Sequence, residues 1–382
     1  MARGPGRRRF RSVGLASVLI TGGAGFIGRH LARALLAKGY SVRVLDSLIE
    51  QVHASREPTW LPAEVEFVDG DVRDAQAVGR ALDGMTHVIH LAAEVGVGQS
   101  MYAVDRYVSV NDGGTAVLFQ ALIERPVKRV VVASSMSIYG EGLYRTEDGT
   151  PVENVLRMPR VGTGSWDPLD PSGRPLRPAP TPEWKQPTLA SVYALTKYVQ
   201  ERLTLTLAPV YGMEGVALRL WNVYGPGQAL SNPYTGVLAI FASRLHNGRA
   251  PMIFEDGHQR RDFVHVEDVA QAFVLALEHP AAPGQVYNVG SGQDRTVREV
   301  AQLLAKAMGR DGIEPEITGK GRTGDIRHCI ADTTKIRTEL GYAPRRDFTE
   351  GLAELAAWVA EQEAVDRVAA ARGELEARGL VA

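Results

Sequence analysis

The apolar positions of the first 140 residues follow two alternating rhythms. Val18, Leu19 and Ile20 make a short run within SVLIT (17–21), the mark of a buried strand. From Phe26 to Lys38 the residues Ile27, Leu31 and Leu35 recur at helical spacing, and Gly39 follows as a stop. SVRVLD (41–46), VEFVDGD (65–71), THVIHLAA (86–93) and KRVVVASS (128–135) predict four more strands. Helices near 74–82 and over 101–124 lie between them. Such alternation predicts an α/β fold. Its core would be a doubly wound, Rossmann-type parallel sheet with helices on both faces, joined by right-handed crossovers.

The rhythm breaks after residue 140. Residues 141–188 hold nine of the 21 prolines and show no sustained period. They read as a long insertion without regular structure, either a surface embellishment or a flap beside a substrate pocket. A helix at 190–210 and a strand GVALRL (215–220) follow. Residues 223–258 are rich in loops, with one helix near 236–247. A helix (266–279), a strand (284–290) and an amphipathic helix (296–309) come next. The last helix starts near 349 and continues past Trp358 as an Ala/Glu-rich stretch, expected to fray or to pack on a partner.

These elements suggest a disordered basic tail (1–12) and a dinucleotide-binding Rossmann domain (13–222) to which 260–290 returns. A smaller C-terminal α/β substrate-binding lobe would use 223–259 and 291–350, and 351–382 would form a helical extension.

Composition narrows the function classes. Hydrophobic residues at 45% and charged residues at 23% are ordinary for a soluble globular chain. A formal net charge of -1 offers no global basic field to gather nucleic acid. The single cysteine, Cys329, excludes an intrachain disulfide and suits a reducing cytoplasm. No apolar run reaches the ~20 residues that a membrane span needs. Arg7-Arg8-Arg9-Phe10 ahead of VGLASVLI imitates an export signal, but cleavage there would remove the first strand. The nine histidines lack ligand-like spacing, so no metal site is expected; His265 and His328 read as structural or phosphate-adjacent.

Residues 21–28 read TGGAGFIG, between the first strand and the first helix. Gly22 or Gly23, then Gly25 and Gly28, permit a tight turn and a close approach of backbone to a pyrophosphate. The helix N-terminus behind them offers free N–H groups and a positive dipole end. Asp46 ends the second strand, 18 residues beyond Gly28. A carboxylate there accepts from both hydroxyls of an adenosine ribose and repels a 2′-phosphate, favouring NAD over NADP; the alternative is a turn aspartate. Asp71 ends the third strand, placed for an adenine amino group or as an ordinary turn residue.

Tyr193 and Lys197, in YALTK, share one helical face. An ammonium beside a phenol stabilises the phenolate and lowers its pKa, which equips tyrosine for acid–base work near neutral pH. Ser135 ends a serine-rich strand upstream.

On TGGAGFIG (21–28), GDVRD (70–74), HLAA (90–93), SSMSIYG (134–140), YALTK (193–197), NVYGP (222–226), RRDFVHVEDVA (260–270) and GDIRHCIAD (324–332), the chain resembles a known family. This is the NAD-dependent sugar-nucleotide epimerase/dehydratase family of extended short-chain dehydrogenase/reductases, matched over roughly residues 15–360. The resemblance implies NAD contacts at Gly22, Gly25, Phe26, Ile27, Gly28, Asp46, Asp71, Val72, Leu91, Ala92, Ala93, Asn111, Ala133, Tyr193, Lys197 and Val223. It implies a catalytic set of Ser135, Tyr193 and Lys197, and a nucleotide-diphosphate sugar, dTDP- or UDP-linked, as substrate. Asn222, Arg261 and Arg322 would hold the diphosphate, although each arginine could instead form a surface ion pair. Phe254 would lie by the nucleobase or in the core, and Cys329 would border the sugar or be a buried structural thiol. A homodimer built on the helices near 101–124 and 190–210 is implied as well.

One spot speaks to the reaction. Dehydratases and decarboxylases of this family carry acidic residues where this chain has Met136 and Ser137, and neither of these is an acid or base at neutral pH. The pattern that remains resembles the 4-epimerases, most of all those of the dTDP-L-rhamnose and UDP-sugar type. The insertion holds Glu141, Glu147, Asp148 and Glu153, which leaves a displaced acid, and so another redox reaction of the family, as the alternative. A non-catalytic NAD-binding protein is the reading from a different class.

Overall fold

The computed structural model describes residues 16–53, 55–155, 166–321, 324–363 and 366–381. Seven parallel strands form the main sheet: β1 (Ser17–Thr21), β2 (Ser41–Asp46), β3 (Glu66–Asp69), β4 (His87–His90), β5 (Arg129–Ser135), β6 (Glu214–Leu220) and β7 (Val286–Val289). Their order is β7-β6-β5-β4-β1-β2-β3. The central strands are covered on both faces, which is why their sequences are continuous apolar runs. Val18, Leu19, Ile20, Val88, Ile89, Val130, Val131 and Val132 are all fully buried.

Helix Phe26–Ala37 turns Leu31 and Leu35 onto one face of the sheet, in one core with Val269, Phe273 and Leu277 of helix Val266–Glu278. On the other face Ala77 and Val78 of helix Ala75–Leu82 meet Leu118, Phe119 and Leu122 of helix Gly114–Glu124. Helix Val192–Val210 lies beside β5 and β6.

A second, mixed sheet runs in the order Asn222–Tyr224, Arg260–His265, His328–Ala331, Arg177–Thr181, Leu143–Arg145, Pro151–Val152, and Asp294–Thr296 pairs with its second strand. The proline-rich stretch therefore is not without regular structure: it supplies three of these strands. In Arg177–Thr181, Pro178 and Pro180 occupy alternate positions, so both missing N–H groups fall on the same side of the strand. That spacing keeps the strand compatible with a ladder while hiding its signature in the sequence. Helices Val237–His246, Val297–Ala307 and Phe348–Ala360 build a separate core around Leu238, Phe241, Leu304, Leu352 and Leu355.

The chain beyond Ala360 returns to its own body. Ala371 and Leu375 of helix Val368–Ala377 are buried, and Glu374 accepts from the hydroxyls of Tyr102 (2.8 Å) and Tyr234 (3.1 Å). Neither fraying nor a partner is needed to explain this segment.

A buried ion pair ties helix Val192–Val210 to the sheet. Arg219 on β6 donates to both carboxylate oxygens of Glu201 (2.7 and 3.0 Å), and Ser134 Oγ adds a third bond to that carboxylate (2.6 Å). Arg219 also donates to the Tyr139 hydroxyl (2.7 Å), which donates to Asn288 Oδ1 (2.8 Å). Removing one partner leaves an unpaired buried charge. Glu201→Ala is expected to lower the free energy of unfolding by about 3–5 kcal/mol, measured by urea denaturation.

Candidate functional site

The chain runs from β1 outward to β3, then crosses back to β4 on the other side of β1. A crevice opens where strand order reverses, beyond the carboxyl ends of β1, β2 and β4. The cavity there measures about 570 Å³. Gly22, Gly25, Phe26, Ile27, Gly28, Asp46, Asp71, Val72, Leu91, Ala92 and Ala93, all expected at the dinucleotide, line it.

The glycine turn fits a pyrophosphate for reasons visible in its contacts. Gly22 has φ +68°, and a Cβ there would lie 2.7 Å from Ala92 N. A Cβ on Gly28 would lie 2.3 Å from Gly23 O, so only glycine lets the helix start this close to the strand. A Cβ on Gly25 would meet only Gly22 O, at 3.2 Å. Helix Phe26–Ala37 begins with no side-chain cap, leaving its first-turn donors for a ligand. Asp46 accepts from Ala24 N (3.0 Å) and Leu48 N (2.9 Å), so the carboxylate also braces the turn. Its oxygens retain acceptor capacity for ribose hydroxyls. Asp71 is clamped by Arg73, whose Nε and Nη2 donate to it at 2.9 and 2.6 Å and hold its carboxyl below the usual range.

Ser191 Oγ accepts from Ala194 N (3.1 Å) and starts the helix that carries Tyr193 and Lys197. Ser135 sits at the end of β5, its Oγ accepting from Ser137 N (3.2 Å) and Ser137 Oγ (2.9 Å). Burial pushes the Tyr193 phenol above its ordinary pKa, and a hydrogen bond with Ser135 works in the opposite direction. The Lys197 ammonium donates to Gln200 Oε1 (2.6 Å), and burial lowers it to about 7. Without cofactor, burial is the larger influence on both groups. Gln200 in turn donates to Thr115 Oγ1 (3.0 Å) and lies 3.1 Å from His90 Nε2; burial drives His90 down to about 3, which keeps it neutral.

Asn111 lines no part of the cavity. Its amide accepts from Glu94 N (2.7 Å) and donates to Thr196 Oγ1 (2.9 Å), fastening the loop after β4 to the Tyr193 helix. Ala133 is buried on β5, and Val223 is half-buried.

The substrate candidates divide. Asn222 donates to Asp262 O (2.9 Å). Arg261 donates to the carbonyls of Arg327 (2.8 Å) and Ile326, at the segment that follows Arg322, which itself lies outside the described residues. Phe254 is half-buried. Cys329 is 1% exposed, within the core that also holds Tyr139 and Trp221, and burial raises its thiol to about 12. Its side chain is closed to solvent and packs as an apolar residue. Glu141 accepts from the backbone of Arg327 (2.8 Å) and His328 (3.2 Å) and from the Tyr144 hydroxyl (2.6 Å). Glu147 pairs with Arg174, Asp148 closes a turn with Thr146 and Thr150, and Glu153 accepts from Gln186 N.

Motifs did not point to Gln51, Glu94, Arg106 or Asn232, yet all four line the cavity. They come from loops and a short helix whose convergence depends on the fold. His265 and His328 hold structural hydrogen bonds to Glu267 N (3.3 Å) and Arg260 N (3.1 Å). Among the described residues no cluster of three or more potential metal ligands occurs, and no helix is long and apolar enough to cross a membrane.

The sequence matches the NAD dependent epimerase/dehydratase family over residues 18–158 and 172–290. It is 35% identical to a dTDP-L-rhamnose 4-epimerase of Burkholderia thailandensis, over 90% of this chain and 95% of that protein. It is 31% identical to a dTDP-glucose 4,6-dehydratase of Actinoplanes sp., over 89% and 97%. The fold is similar to the UDP-glucose 4-epimerase of Thermus thermophilus in complex with NAD, with a TM-score of 0.70, 32% identity, and coverage of 91% of this chain and 100% of that one.

Two outcomes follow from the cavity and the lysine. Asp46→Ala should weaken NAD binding about 10–100-fold, the worth of hydrogen bonds to a charged group, and narrow the preference over NADP, both read by calorimetric titration. Between about 7, the value of buried Lys197, and the ordinary 10.5, the unfolded chain binds the extra proton, so cofactor-free stability rises with pH across that window. Lys197→Met should flatten this rise in urea midpoints measured at its two ends.

Proposed function

Because this chain belongs to the NAD-dependent epimerase/dehydratase family, we propose that it is a nucleotide-sugar 4-epimerase, an isomerase acting on a dTDP- or UDP-linked sugar. The observation that carries this reading lies at the end of β5. Ser135 is followed by Met136 and Ser137, both nearly buried, and neither supplies the acid–base pair that loss of water requires. Glu141, Glu147, Asp148 and Glu153, four of the insertion's carboxylates, are engaged in other bonds, Glu141 with two backbone amides and a tyrosine, which supports the same choice.

In this mechanism Tyr193 takes the proton from the hydroxyl at sugar carbon 4, with Ser135 hydrogen-bonded to the same oxygen. Lys197 supplies positive charge beneath the phenolate and holds the cofactor ribose. Bound NAD would supply the acceptor, and then the donor, of the hydride at carbon 4. The 4-keto sugar turns in the pocket so that the return is to the opposite face, and Tyr193 gives the proton back. The protein contributes orientation, a poised base and exclusion of water. Asn222, Arg261 and Arg322 are assigned to the diphosphate. Arg261 suits this role because its present partners are backbone carbonyls, which carry no full charge to hold it.

We infer a homodimer as well, working in the cytoplasm. Val104 (45% exposed), Val108 (40%) and Leu195 (44%) are unusually open for apolar residues, and they sit on the two helical segments expected to pair.

The deciding experiment is proton NMR of the protein with NAD and a panel of dTDP- and UDP-sugars, dTDP-L-rhamnose included. Inversion at carbon 4 alone, with no NADH accumulating, is the expected outcome. A stable 4-keto product identifies a dehydratase instead. Tyr193→Phe should cut kcat about 10²–10⁴-fold while NAD still binds, since only the proton transfer is lost. Val108→Glu with Leu195→Glu should shift the light-scattering mass from dimer to monomer.

A further inference from the structure

Gln51 lies in the loop after β2, and its amide is used at both ends. Nε2 donates to Gln99 Oε1 (3.0 Å) and to Asn232 Oδ1 (3.2 Å). Oε1 accepts from Arg106 Nη2 (2.7 Å), which also donates to Glu94 Oε2 (2.5 Å). Glu94 and Gln99 follow β4, and Asn232 belongs to the segment after Asn222–Tyr224. Gln99 is 8% exposed, Glu94 7% and Asn232 3%, so these are buried partners with few alternatives in water.

Strand order gives this network its meaning. In β4-β1-β2 the glycine turn at the end of β1 lies between the two loops that Gln51 joins. Adjacent strands sit ~4.8 Å apart, so the ends of β4 and β2 that precede the two joined loops stand ~10 Å apart, with the turn between them. A dinucleotide with its ribose on Asp46 and its pyrophosphate on the turn would share one cavity with Gln51, Glu94, Arg106 and Asn232. The third arm, to Asn232, adds a wall from the second lobe to the same closure.

We propose that Gln51 is a cofactor-retaining residue: its amide clasps the loops after β2 and β4 and the Asn232 segment together across the crevice, so that NAD leaves only when the clasp opens. The epimerase reading explains why retention is useful, since a cofactor that regains its hydride on every turnover has no need to exchange. The clasp itself stands on the dinucleotide site alone.

The test is the rate of NAD release from the full-length, NAD-loaded protein with no sugar nucleotide present. Released NAD is trapped by an excess of an alcohol dehydrogenase with ethanol and read as NADH fluorescence. Gln51→Ala removes all three hydrogen bonds and should release NAD at least ~10-fold faster, with the association rate unchanged. Gln51→Glu keeps the acceptor for Arg106 and loses both donors, so it should accelerate release similarly even if the alanine variant folds poorly. Gln99→Ala should also accelerate release, and the double variant with Gln51→Ala should be less than additive because the two share a bond. Release from both Gln51 variants within about twofold of wild type overturns the proposal. So does a fully additive double variant, which means that Gln51 acts on NAD directly. So does a slowed association rate as the sole change, which signals structural damage. Because no sugar enters the assay, a failed epimerase reading leaves this result interpretable.

Discussion

Between β1 and β4 the sheet reverses its strand order, and the backbone at that point is packed as closely as peptide groups allow. Gly22 rests against the start of the loop after β4, and Gly28 rests against Gly23; in each case a single added carbon would collide with backbone. The closeness brings three strand ends, a helix N-terminus and the Asp46 carboxylate around one cavity. Gly114 packs against the Val72 side chain, whose Cγ1 an added Cβ would approach to 2.4 Å, so helix Gly114–Glu124 sits close to the loop after β3. The crevice and the strand ends that line it take their positions from this contact region.

The helix that carries Tyr193 and Lys197 depends on buried polar groups that satisfy one another. Tyr193 and Lys197 stand on a helix fastened by three devices: the Ser191 cap, the Asn111–Thr196 bond, and the Arg219–Glu201 pair. The last is the most demanding, because two full charges are removed from water and are tolerable only with every donor and acceptor matched. Ser134, Tyr139 and Asn288 complete that matching. Burial also sets the proton affinities, raising the Tyr193 phenol and lowering the Lys197 ammonium. A positive cofactor and a bound hydroxyl would enter an environment already dry and ordered, where charge acts strongly.

The second lobe gains area from chain that has no motif. Leu143–Arg145, Pro151–Val152 and Arg177–Thr181 extend its sheet, and Arg327 binds the insertion to the lobe through Asp167 (2.7 Å), Glu255 (3.0 Å) and Asp256 (3.0 Å). The C-terminal segment joins the lobes from outside, with Glu374 of its helix on Tyr102 and Tyr234 and with Asp366, just before the helix, on Arg249 (3.0 Å). These contacts make the second lobe a composite of distant chain segments.

What the sequence by itself determined is what short range governs. The glycine turn, the aspartate ending β2, the buried strand runs and the four-residue step from Tyr193 to Lys197 each depend on neighbours a few positions away, so their physics is written in local order. What only the tertiary structure decided is whatever joins remote segments. Alternating prolines read as loop until a neighbouring strand supplies the ladder, and an Ala/Glu-rich tail reads as frayed until Tyr102 and Tyr234 meet it. Lys197 reads as a partner of the phenol, but its bond to Gln200 exists only once the fold buries both. Gln51 carries no signal at all, because an amide becomes a clasp only when strand order sets its partners on the far side of the crevice.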